Sequence, residues 1–325
     1  TAKSGSVTGA TISRNAGLMA FIHQTPEKPP DIYVSSLRNF SPRKLTEINA
    51  EFPKLPMGKT EPVSWKSKDG KTVEGLLTYP INYDKARRYP LLLNVHGGPA
   101  GVFVQSFTAA GTVYAIQALA QEGYAVLRPN PRGSSGYGMS FRFANHNDWG
   151  YGDYEDDIAG VDKVIEMGVA HPDSLCVAGW SYGGFMTSFI ITKTKRFKAA
   201  SVGAGVTDLV SFTGTADIPG FLPDYFDGQP WDQLDTYLKH SAMFNVKGVT
   251  TPTQILHGEK DVRVPISQGY ELHNALKQQG CPTEMIVYPR TGHGPQEPKF
   301  ILDMGKRLIA WFNRNLGRTR QAGTE

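Results

Sequence analysis

The sequence predicts an α/β protein built on a doubly wound, mainly parallel sheet and preceded by a short β-meander. Three observations carry that expectation. From residue 61 onward, β-type and helical patterns alternate, the order that buries a parallel sheet between helices. Several β-type runs are continuously apolar and end in glycine, as strands covered on both faces do. Residues 15–60 lack the alternation and read as short strands separated by Pro- and Ser-containing turns.

Taken in order, GLMAFIHQ, DIYVSSL and RKLTEIN form the meander. Their spacing resembles one blade of a β-propeller, although no repeat of that period follows, and an extension lying on the main domain is the alternative. EPVSWKSKDGKTVEGLLTYP is a hairpin around Asp69-Gly70, a dipeptide that supplies the positive φ angles of a tight turn. YPLLLNVHGG is a buried strand, TVYAIQALAQEG a helix stopped by Gly123, and YAVLRPN the next strand. DYEDDIAGVDKVIEMG places Ile158, Val161, Val164 and Ile165 on one helical face. SLCVAGW, FKAASVGAG, TPTQILHG and TEMIVYP continue the strands, with helices between them and a last helix near 297–316. The expected organisation is a β-rich segment over 1–60, an α/β domain over 61–317, and a frayed tail from Arg318 to Glu325.

Composition narrows the function classes. Of 325 residues, 40% are hydrophobic and 20% charged, so neither disorder nor a coiled coil fits. The net charge of +4 is small and its basic residues are dispersed, which argues against a nucleic-acid partner. Two cysteines, Cys176 and Cys281, form no C-x-x-C pair, so no metal or cofactor is expected. No run of about 18 apolar residues is present, so a membrane partner is not expected, and a soluble protein is favoured, with the cytoplasm ahead of other compartments. A start at Thr1 leaves room for a removed leader or upstream domain.

Gly179-Trp180-Ser181-Tyr182-Gly183 matches G-x-S-x-G, directly after SLCVAG and directly before the helical FMTSFIITK. A serine on such a strand-to-helix turn projects its hydroxyl above the sheet, and the flanking glycines remove side chains that would collide with neighbouring elements. Serine is a weak nucleophile at neutral pH and needs a base, which in the α/β-hydrolase fold follows an acid in the order Ser, Asp/Glu, His. Of the later histidines, His240 falls in a polar stretch, His273 on a helix, and His257 precedes the best acid. His293, in the loop RTGHGPQ before the last helix, is the expected base. Asp261 in HGEKDVRVP follows a strand by a short turn and is the expected acid, with Glu259 and Asp208 as rivals. Donors for an oxyanion are expected from the N–H of Tyr182 and from the glycine loop His96-Gly97-Gly98-Pro99.

Other patterns fail. Gly58-Lys59-Thr60 has Pro53 where a phosphate loop needs glycine, and Gly203-Ala204-Gly205 leads to Asp208 where a dinucleotide fingerprint needs a small residue. The basic run KTKRFK sits at a helix end, where cations favour the helix dipole.

HGGP, PNPRGSSGYG, DWGYGDYEDD, GWSYGGFMT, HGEKDVRVP and TGHG, in this order over residues 61–316, resemble the catalytic domain of the prolyl oligopeptidase family of serine peptidases, especially its acylaminoacyl-peptidase and dipeptidyl-peptidase-like branch. The resemblance implies Ser181 as nucleophile, Asp261 and His293 as its partners, and Gly98 and Tyr182 as oxyanion donors. It also implies that Val206, Leu209 and Phe212 line the pocket for the residue before the scissile bond, and that peptides or small esters are the substrates. Two departures stand out: at most one blade of the family's propeller is present, and Leu209 supplies no pocket aromatic for proline selectivity. Relatives often assemble, and a β-edge left open in residues 15–50 favours pairing with a second copy. A carboxylesterase with the same triad is the runner-up, since fold does not fix substrate. A non-catalytic binding module on a hydrolase scaffold is the third reading.

Overall fold

Side-chain alternation along the central strands separates two cores. The computed structural model describes residues 5–14 and 17–318. An antiparallel sheet holds β1 (Ser6–Ile12), β2 (Leu18–Thr25), β3 (Lys28–Ser36) and β4 (Arg43–Lys44) in that order. The main sheet contains β5 (Thr60–Lys66), β6 (Thr72–Thr78), β7 (Tyr89–Val95), β8 (Ala125–Asn130), β9 (Ala170–Trp180), β10 (Phe197–Gly203), β11 (Thr253–Gly258) and β12 (Thr283–Tyr288). Its order is β12-β11-β10-β9-β7-β8-β6-β5. The strands from β12 to β8 pair in parallel, whereas β6 pairs antiparallel with both β8 and β5.

On β7, Leu91, Leu93 and Val95 point into one core while Leu92 joins the other; on β9, Leu175 and Val177 part from Cys176 and Ala178 in the same way. The larger core is closed by the helices Gly152–Glu166, Tyr182–Lys193 and Ser267–Gln278, the smaller by Ile116–Gln121 and Pro298–Asn315. Both faces of the parallel strands are thus covered, which is why they are apolar throughout rather than alternating. The carboxyl ends of β9, β11 and β12 share one edge, where the loops that follow them meet.

The antiparallel sheet differs from the expected meander at both ends. SVTGATI supplies an additional strand, β1, whose residues are mostly exposed, and RKLTEIN contributes only the two residues of β4. Thr8, Ile22 and Ile32 lie opposite one another across β1, β2 and β3, and both isoleucines are exposed. The sheet is joined to the main domain by Phe107 N–H to Gln24, Thr108 N–H to Pro26 O, and Thr60 N–H to Glu27.

At the C-terminus, Arg318 is docked: it donates to Glu122 O at 2.8 Å and lies over the Tyr124 ring. The rest of the expected tail, 319–325, is outside the described residues. No helix among the described residues is long and apolar enough to cross a membrane.

Candidate active site

Ser181 has φ 62° and ψ −121°, a conformation that an L-residue with a side chain adopts only where the surroundings hold it. Those surroundings require glycine. A Cβ at Gly183 would collide with Val95 O, and one at Gly179 with the Gly183 backbone. The strand, the turn and the helix Tyr182–Lys193 therefore pack at backbone contact, which drives the Ser181 side chain outward. Its Oγ lies 2.9 Å from Nε2 of His293. Nδ1 of His293 lies 2.8 Å from Oδ2 of Asp261. The other carboxylate oxygen of Asp261 accepts the N–H groups of Arg263 and Val264 at 3.0 and 2.9 Å. Asp261 is thus buried and aimed, with both carboxylate oxygens engaged.

The rival residues stand elsewhere. Glu259 is exposed and accepts the N–H of Arg290. Asp208 caps the helix Leu209–Thr215 by accepting the N–H groups of Val210 and Ser211. His240 is buried against Trp149 O, and His273 lies beside Thr283. His257 is fully buried, 3.7 Å from Asp261, and its Nε2 donates to Val264 O. Burial lowers its proton affinity.

The glycine turn after β7 runs beside the serine. A Cβ at Gly97 would lie 3.4 Å from Ser181 Cβ and 4.0 Å from its Oγ. His96 is fixed beneath the turn, 2.9 Å from Ser134 Oγ and edge-on to Phe103. Tyr182 is the first residue of its helix, so its N–H has no intrahelical acceptor. A cavity of about 290 Å³ opens onto Ser181, Tyr182, Gly98 and His293. Its apolar walls are Trp149, Val206, Phe212, Ile218, Phe221 and Val264, with Arg263 among the lining residues. Arg263 is ion-paired to Asp217 at 2.6 Å. Leu209 is fully buried and stands outside that lining; Trp149 and Phe221, which sequence reasoning missed, bring the aromatic surface instead.

Sequence reasoning also missed a set of buried carboxylates. Asp153, Asp156 and Asp157 on the helix Gly152–Glu166 are all fully buried. The run DYEDD with PNPRG upstream carried the signal, because an arginine can neutralise such a helix face. Asp156 is held by Arg132 through its backbone N–H and guanidinium at 2.7–3.0 Å. Asp153 accepts the Tyr182 hydroxyl. Burial, with Asp156 nearby, pushes Asp153 up to about 7 despite that bond. Asp157 has no hydrogen-bond partner among the described residues, and burial beside two carboxylates holds it far above the usual range.

A consequence for stability follows. Folded Asp153 keeps a proton that the unfolded chain, with an ordinary value of 3.8, has already lost. Its contribution is therefore present below about pH 4 and is lost as pH rises towards about 7. Asp153→Asn mimics the protonated acid at every pH. Melting curves from pH 4 to 8 should show the variant gaining on the wild type as pH rises, by several degrees at the alkaline end. A constant difference would show that Asp153 does not titrate in that window.

The family model described as Peptidase_S9, prolyl oligopeptidase family, matches residues 111–319. The chain belongs to the prolyl oligopeptidase family. Within that family it is similar to the uncharacterized peptidase YuxL of Bacillus subtilis, 35% identical over 90% of this chain and 44% of that protein. It is 32% identical to dipeptidyl-peptidase 5 of Aspergillus oryzae over 75% of this chain and 34% of that protein. Among solved structures, the uncomplexed acylaminoacyl peptidase of Pyrococcus horikoshii superposes with a TM-score of 0.86 at 24% identity, covering 98% of this chain and 51% of that one. A Mycobacterium tuberculosis puromycin-hydrolyzing peptidase gives 0.84 at 24% identity, over 93% of this chain and 46% of that one. These likenesses show the α/β-hydrolase fold. The chain spans about half, or less, of the length of the prolyl oligopeptidase relatives it matches.

Proposed function

We propose that this chain is a serine peptidase that cleaves peptide bonds after an apolar residue, through an acyl-enzyme on Ser181. The observation that carries the reading is the hydrogen-bonded chain from Ser181 through His293 to Asp261, opening on an apolar cavity. Ser181 Oγ attacks the scissile carbonyl carbon while its proton passes to Nε2 of His293. The carbonyl oxygen becomes an oxyanion that accepts the N–H groups of Tyr182 and Gly98. Collapse expels the amine, which takes the proton from His293, and leaves the acyl group on Ser181. Water then attacks the acyl carbon as its proton passes to His293, and the intermediate collapses to release the acid while His293 returns the proton to Ser181 Oγ. Asp261 holds the imidazole with Nε2 facing the serine. The cavity walls, through Val206, Phe212, Trp149 and Phe221, suit a large apolar or aromatic side chain on the acyl side.

The antiparallel sheet β1–β4 supports a second part of the reading, that residues 1–60 correspond to one blade of a propeller. Its four strands are consecutive and antiparallel, and the exposed Ile22 and Ile32 form a face suited to a neighbouring sheet.

Labelling with a fluorophosphonate probe, followed by kinetics on matched ester and amide substrates with phenylalanine on the acyl side, tests the assignment. The wild type should label at one residue and turn over both substrates, and Ser181→Ala should do neither. Turnover of the ester alone would mark a carboxylesterase, and an unlabelled wild type a non-catalytic scaffold.

A further inference from the structure

We propose that Trp180 is a positioning residue for His293, its indole N–H holding the main chain of the histidine turn so that the imidazole meets Ser181. The inference rests on reading Ser181 and His293 as nucleophile and base. Trp180 ends β9, whereas His293 follows β12, and two strands, β10 and β11, stand between them. The indole spans that gap and donates from Nε1 to His293 O at 2.6 Å.

Two glycines make the crossing possible. A Cβ at Gly203, the end of β10, would clash with the Trp180 ring, and one at Gly258, the end of β11, would overlap the carbonyls of Thr291 and Gly292. Both strand ends are thus stripped of side chains where the indole and the histidine turn settle on them.

The turn has little else to hold it. Upstream it is tied by Lys260 N–H to Thr291 O and by Arg290 N–H to Glu259, each at 2.9 Å. Downstream the helix Pro298–Asn315 begins. Among the described residues, the Trp180 bond is the one hydrogen bond made to the main chain of residues 292–296. Without it the backbone beneath His293 can shift, and the Ser181–His293 contact of 2.9 Å is the distance that suffers. Proton transfer from serine is steep in that distance, whereas the cavity walls that bind the acyl side chain lie on other elements. The expected signature is therefore a fall in kcat with KM retained.

Trp180→Phe removes the N–H, and a second protein carrying β-(3-benzothienyl)alanine at position 180 removes it while keeping the bicyclic ring. Both are assayed on a p-nitrophenyl ester, with active sites counted by fluorophosphonate titration. In both, kcat per titrated site should fall by about 10- to 100-fold, with KM within about twofold of wild type and an unchanged melting temperature for the isostere. Full kcat per titrated site in the isostere would overturn the proposal. So would a loss confined to the titratable fraction, or one matched by a rise in KM, since either would assign Trp180 to folding or substrate binding. His293→Ala is run alongside: if it keeps activity, the base assignment falls and this inference with it. If His293→Ala is inactive while both Trp180 variants are fully active, only this inference falls.

Discussion

Ser181→Ala is expected to lower kcat by about 10⁶-fold, and His293→Ala by a similar factor. The hydroxyl cannot attack without losing its proton, and the imidazole 2.9 Å away has nothing to accept without the hydroxyl. Each substitution therefore removes the same step. What survives is the contribution of the oxyanion donors and of substrate positioning, which neither change touches. For that reason the double variant should be no slower than either single one. The measurement is kcat on one ester and one amide substrate for the two single variants and the double. A double variant slower by the product of the two effects would mean that the residues act in separate steps and that the proposed mechanism is wrong.

Asp261→Asn should cost on the order of 10⁴-fold in kcat, for a reason visible in its hydrogen bonds. One carboxylate oxygen is committed to the N–H groups of Arg263 and Val264, the other to Nδ1 of His293. An asparagine keeps its oxygen on the two backbone donors, so its amide nitrogen must face the imidazole. That nitrogen donates, which leaves Nδ1 without its proton and places a proton on Nε2, the atom that must take one from Ser181. Glu259→Gln is the control, because Glu259 is exposed and bonded to the N–H of Arg290 rather than to an imidazole. It should change kcat by less than about twofold. A damaging Glu259→Gln with a nearly silent Asp261→Asn would transfer the acid role to Glu259.

The layered fold and the candidate nucleophile, Ser181, are both legible along the chain. Both depend on short-range rules: continuous apolar runs bounded by glycine become interior strands, and Gly179 and Gly183 around Ser181 permit one tight strand-to-helix turn. The order Ser, Asp, His could be read in the same way, since each residue follows its strand within a few positions. Element boundaries were less accessible where burial is slight. β1 is mostly exposed and offers little apolar pattern, and β4 keeps only two residues because its chain then turns to satisfy Asp31, which accepts from Thr46 and the Ile48 N–H.

Tertiary structure alone decided everything that rests on contacts between distant segments. Ser181 and His293 are 112 residues apart and meet because the strands that carry them end at one edge of the sheet. Leu209 left the expected pocket lining, and Trp149 and Phe221 entered it, because the helices after β10 and the loop after β8 converge there. The burial of Asp153, Asp156 and Asp157 depends on distant segments in the same way. Arg132 and Tyr182, from two other segments, supply the bonds that make burial tolerable for two of them, while burial beside the other two raises the proton affinity of the third. The Trp180 bond to His293 has the same origin. Nothing local distinguishes that tryptophan from a core aromatic, and its partner is fixed only once four strands have been laid side by side. Hydrophobic pattern and backbone sterics act over a few residues and can be read along the chain, whereas hydrogen-bond pairing across the sheet is set by strand order.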